Sequence, residues 1–122
     1  MTFELTQRFF FEAAHTLNRR HETDDSRRVH GHTYLARVTV AGTPDPATGM
    51  VVDLAELRAA IARTRELLDH RLLDDVPGLG PATLENLCAF IVRSLADAPG
   101  RLVGVEVARE ASGDSCRLTV DR

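Results

Sequence analysis

The chain has 122 residues, 43% of them hydrophobic, enough for one ordinary globular domain spanning residues 1–122. Its net charge is −3, arginine supplies all fifteen positive charges, and no basic stripe suggests a nucleic-acid partner. Two cysteines, Cys88 and Cys116, are too few for a disulfide framework or a cysteine zinc site. The stretch "FFFEAA" is flanked and interrupted by Glu4, Arg8 and Glu12, so neither a signal peptide nor a membrane span is expected, and the reading is a soluble cytoplasmic protein.

"FELTQRFFFEAAH" alternates in character. Phe3, Leu5, Phe9, Phe11, Ala13 and His15 share a face that Gln7 interrupts, with Glu4, Thr6, Arg8 and Glu12 opposite. A polar connection of about fourteen residues follows, long enough to suggest a functional loop or a solvated excursion. His21 within it reads as solvated. The next alternating run places His30, His32, Tyr34, Ala36, Val38 and Val40 on one face, opposite Arg37 and Thr39. Both runs read as strands with one buried side.

"GTPDPATG" is a turn-rich connection. "DLAELRAAIARTRELLD" reads as a helix capped by Asp53, with Glu56 in the reciprocal capping position and Leu54, Leu57, Ile61 and Leu68 on one stripe. Prolines and glycines in "DDVPGLGPA" break the chain. A second helix is expected over about 84–97, capped by Thr83, with Leu84, Leu87, Cys88, Ile91 and Leu95 inside. "RLVGVEVARE" and "SCRLTVD" close the chain as a hairpin turning near Ser112–Asp114. The order ββααββ implies an α+β fold, an antiparallel sheet resting its apolar face on two helices.

If the first two strands pair, His15 ends one strand beside the start of the next, where His30 and His32 point the same way. A His-x-His pair alone is more often incidental than metal-binding, and the third imidazole changes that balance. Three neutral imidazoles with a vacant fourth position suit a catalytic zinc site; iron and nickel also accept such ligands.

"FFFEAAHTL", "VHGHTY", "GMVVDLAELR", "LLDHRLLDD", "ATLENL" and "VEVARE" resemble, in order and spacing, the motifs of the 6-pyruvoyl-tetrahydropterin synthase family. The bacterial 6-carboxy-tetrahydropterin synthases of queuosine biosynthesis are the most similar branch. The resemblance implies the tunnelling fold, a four-stranded antiparallel sheet with two helices on one face. It further implies assembly into trimeric barrels that stack as a homo-hexamer, with active sites between subunits and a reduced pterin as substrate. It makes His15, His30 and His32 the zinc ligands, and Asp69 and His70 a carboxylate-oriented proton-transfer pair. Glu110 becomes the residue that anchors the pterin ring, and Thr83 and Glu85 lie near the pterin pocket. A carboxylate can accept two hydrogen bonds from the amino and ring N–H groups of a pterin. Without the resemblance, Glu110 would be an exposed strand-end charge and His70 a cation at a helix C-terminus.

The chain departs from the family's pattern at one catalytic position. Where the lyase members carry a cysteine four residues before His-x-His, this chain has Ser26. A thiol ionises near pH 8.5 and becomes a base with modest help, whereas a hydroxyl needs a neighbouring base. Ser26 could be activated by Asp69–His70, could bind substrate, or could be idle; alternatively a loop carboxylate, Glu22, Asp24 or Asp25, takes the role. Cys88 and Cys116 read as packing residues. The expected activity is a zinc-dependent lyase reaction on the side chain of dihydroneopterin triphosphate or a similar pterin. A retro-aldol or epimerase reaction, a non-catalytic pterin- or purine-binding metalloprotein and an unrelated tris-histidine hydrolase are the alternatives.

Overall fold

Two long strands, β1 (Phe3–His15) and β2 (His30–Gly42), pair antiparallel in unbroken register from Phe3↔Gly42 to His15↔His30. This computed structural model describes residues 1–18, 20 and 27–121. Helix α1 (Leu54–Leu68), a 3-10 turn (Leu73–Asp75) and helix α2 (Leu84–Ser94) follow, then β3 (Arg101–Arg109) and β4 (Asp114–Thr119). The sheet order is β1-β2-β3-β4, antiparallel throughout.

The alternation of the strands decides which face is covered. Phe9, Phe11 and Ala13 of β1, Tyr34, Ala36, Val38 and Val40 of β2, and Val105 and Val107 of β3 are buried in one core with Leu57, Ile61, Leu87 and Ile91 of the helices. Phe11 stacks on its cross-strand partner Tyr34 at a centroid distance of 4.8 Å. Gln7 interrupts the apolar face of β1 because its amide oxygen accepts a 3.0 Å hydrogen bond from Nε of Arg58 on α1. Among the described residues, no helix packs against the opposite face. There Phe10 is 48% exposed, and Arg37 pairs with Glu106 at 3.0 Å.

Both caps form as expected. Asp53 accepts from the Ala55 N–H at 2.8 Å, and Thr83 accepts from the Asn86 N–H at 3.1 Å. Helix α2 stops at Ser94, a turn short of the expected Asp97, and the chain turns through Gly100 into β3. The segment after α1 was not legible as structure in its own right. It runs along the free edge of β1, where the His70 N–H donates to the Glu12 carbonyl at 2.6 Å and the Ala14 N–H to the Arg71 carbonyl at 3.0 Å. These bonds fasten the end of α1 to the histidine end of the sheet.

Candidate metal centre and active site

Strand pairing sets His15 directly opposite His30, and alternation puts His32 on the same face. His15 Nε2 lies 3.0 Å from His30 Nε2 and 3.1 Å from His32 Nε2. Among the described residues, these three form the one cluster of potential ligands suited to a metal ion. The other ring nitrogens explain the tautomers. His15 Nδ1 lies 3.0 Å from the Ala82 carbonyl and His30 Nδ1 lies 2.7 Å from the Arg28 carbonyl. A carbonyl only accepts, so each Nδ1 carries the proton and each Nε2 is left with its lone pair. Two lone pairs facing each other at 3.0 Å repel unless a cation lies between them. The donor set therefore fits a metal ion, with the outer hydrogen bonds that orient metal-binding imidazoles.

Burial favours the neutral form of His15 and His32. It pushes the His32 imidazole down to about 4, with the charges of His15 and Arg109 acting in the same direction. His15 is lowered chiefly by its burial, against the hydrogen bond to the Ala82 carbonyl that raises it. Asp74 fastens the chain just beyond His15, accepting from the Thr16 N–H at 2.9 Å and from the Thr16 hydroxyl.

Asp69 and His70 form a pair at the end of α1. Asp69 Oδ2 accepts from His70 Nδ1 at 2.8 Å, and Oδ1 accepts from the Glu12 N–H at 2.9 Å. Arg65 adds an ion pair at 3.1 Å. The Glu12 N–H is the chief reason that the Asp69 carboxyl is held below its ordinary value. Bonding through Nδ1 leaves His70 Nε2 outward, and the side chain is 75% exposed. His70 is also the one non-glycine residue with positive φ, 57°, among those described. A groove of about 520 Å³ at this end of the sheet has both His32 and His70 in its lining.

Thr83 is tied to the histidines through its neighbour, since the Ala82 carbonyl orients His15 while Thr83 caps α2. Glu85 is exposed in the first turn of α2. Glu110 is not brought to the imidazoles: β3 ends at Arg109, and Glu110 opens the exposed turn that follows. Ser26, with Glu22, Asp24 and Asp25, lies outside the described residues. Cys88 is fully buried, its thiol raised to about 12 by that burial, and donates toward the Cys116 carbonyl at 3.4 Å. Cys116 is half-buried beside it, so neither thiol reaches the histidine cluster as a base.

Sequence reading missed Arg109. The alternation Val105, Val107, Arg109 sets a cation at the end of the apolar face of β3, a signal visible in "VEVARE". Arg109 pairs with Asp114 at 2.8 Å, and its charge depresses His15 and His32.

Residues 4–119 match the family described as 6-pyruvoyl tetrahydropterin synthase. The chain is 42% identical over 106 residues to a 6-carboxy-5,6,7,8-tetrahydropterin synthase of Synechocystis, covering 81% of this chain and 80% of that protein. It superposes on a 6-pyruvoyl tetrahydropterin synthase of Caenorhabditis elegans with a TM-score of 0.86, at 24% identity over 99% of this chain and 97% of the other. A Plasmodium vivax 6-pyruvoyltetrahydropterin synthase, solved with a catalytic glutamate replaced by alanine, gives a TM-score of 0.73 at 14% identity over 98% and 99%. The tunnelling fold expected from the motifs is the fold of this chain.

Proposed function

We propose, from the premise that this chain belongs to the 6-pyruvoyl tetrahydropterin synthase family, that it is a zinc-dependent lyase acting on the side chain of a reduced pterin. The observation that carries this reading is the convergence of three Nε2 lone pairs, two of them fixed by Nδ1–H bonds to backbone carbonyls. His15, His30 and His32 would hold the ion, which supplies Lewis-acid polarisation of a substrate side-chain oxygen. His70 takes and returns a proton at Nε2, while Asp69 holds the ring through Nδ1 and stabilises the imidazolium. Asp69 is fastened to Glu12 of β1, so the pair is positioned by the same strand that carries His15.

The outward aim of His70 and the sheet face that no described helix covers support a homo-oligomer, a hexamer of stacked trimers, in which neighbouring copies complete each site. In this reading Glu110, exposed at the β3–β4 turn, anchors a pterin ring at such a junction rather than within one chain. Thr83 and Glu85, at the start of α2, contribute in the same reading to the pterin pocket.

With Ser26 at the position of the usual thiol, the remaining proton transfer falls to Ser26 or to a carboxylate of the 22–25 segment. The catalytic glutamate of the Plasmodium vivax enzyme supports the carboxylate. The Synechocystis relative favours 6-carboxy-tetrahydropterin as product. Incubating zinc-loaded protein with dihydroneopterin triphosphate and identifying products by mass tests the reading, with Ser26→Cys in parallel. Carboxy-tetrahydropterin from the unaltered chain is expected. If only Ser26→Cys makes it, the natural protein is not a synthase, and a retro-aldol, epimerase or binding role replaces this reading.

A further inference from the structure

The histidine end of the covered face carries a cation that the proposed chemistry does not use. Arg109 is the last residue of β3 and pairs with Asp114 across the hairpin. Leu35 pairs with Ala108, so the same register continued by one residue brings Arg109 opposite Tyr34. Tyr34 is in turn the inner-face neighbour of His32, with ring centroids 5.6 Å apart. Arg109 therefore stands two strands from His15 on the face where all three imidazoles converge, and its side chain is only 17% exposed.

Among the described residues, two polar groups in this patch are buried without partners: Nε of Arg109 and the hydroxyl of Tyr34. An unpaired buried donor costs about 1–3 kcal/mol, and a native protein keeps one where something else completes it. The charge balance points the same way. Asp114 is half-exposed and answers Arg109 through Nη2 alone, and Asp74 is engaged by Thr16. Among the described residues, a dication held by the imidazoles would leave this patch positive.

We infer that Arg109 is a specificity-determining residue of the histidine site, its guanidinium binding an anionic oxygen, of a phosphate or a carboxylate, on the substrate's side chain. The inference rests on the metal-dependent reading above and adds to it the charge of the group that is recognised. Guanidinium matches both anions because its planar fork offers paired donors. Glu110, one residue later, is carried into the exposed turn, so the β3 residue facing this site selects negative rather than positive charge.

Zinc content and anion binding separate the two ideas. Zinc-loaded protein is titrated calorimetrically with pyrophosphate and, separately, with acetate, for the unaltered chain, Arg109→Gln and Arg109→Lys, with bound zinc measured by atomic emission. The unaltered chain is expected to bind at least one of the two saturably, and Arg109→Gln to bind it about tenfold to a hundredfold more weakly, the effect of one charge-assisted hydrogen bond. A response to pyrophosphate alone identifies a phosphate end, and one to acetate alone a carboxylate. Arg109→Lys, which keeps charge but loses the fork, is expected to fall between, and it carries the comparison if the glutamine variant does not fold. Equal affinities in all three proteins, or no binding by the unaltered chain, overturn the inference. Absence of bound zinc overturns the metal reading instead, and the same titration of metal-free protein then decides the role of Arg109.

Discussion

The imidazole cluster and the Asp69–His70 pair sit at the same end of the sheet but are held in opposite ways. His15 is fully buried, and all three imidazoles stand on paired strands, with His15 and His30 further fixed by backbone carbonyls. His70 is three-quarters exposed, at positive φ, fastened by its own backbone and by one carboxylate. Metal binding rewards a rigid set of lone pairs, because a displaced ligand costs affinity directly. Proton transfer at the edge of a site completed by other surfaces needs orientation together with access. On the proposed reading the difference is one of division of labour: the sheet makes the metal geometry and the helix end presents the base.

The sharpest way to break that comparison is His15→Ala. It removes the imidazole that both others contact, and zinc per chain is expected to fall to roughly a tenth or less by atomic emission. Asp69→Asn addresses the other half. Turnover of dihydroneopterin triphosphate is expected to fall about a hundredfold, with zinc content unchanged. If zinc is lost as well, the two regions are not independent.

Acid titration sharpens the contrast further. A histidine in the unfolded chain protonates near 6.5, while folded His32 does so near 4. Between those values the unfolded state binds more protons, so stability rises with pH across the window and declines as pH falls from about 6.5 toward 4. Thermal melts of metal-free protein should show this decline, and His32→Gln should flatten it. The smallest effect is expected at the cap of α2. Thr83→Ala removes the bond to the Asn86 N–H and should lower stability by about 1 kcal/mol in denaturant melts, with zinc retained.

Much of this site was legible before any coordinates. A period of two sets His15, His30 and His32 on one face because side chains alternate along a strand, and pairing of neighbouring strands does the rest. The N-caps at Asp53 and Thr83 were equally local, each a short side chain satisfying an orphan N–H one turn ahead. The stretch from His70 to Leu72 was not legible, because its hydrogen bonds go to β1, more than fifty residues away in the chain.

Residue order by itself determined the strands, the helices and the positions of the three clustered histidines, since periodicity and capping are properties of neighbouring residues. Only the tertiary structure decided which acidic or basic group faces the site. Glu110 reads as a strand residue until β3 is seen to stop at Arg109, and Arg109 has no reading of its own until the β2–β3 register, continued by one residue, brings it opposite Tyr34. A strand's end and its register are fixed by its partner strands, and a step of one residue moves a side chain to the other face.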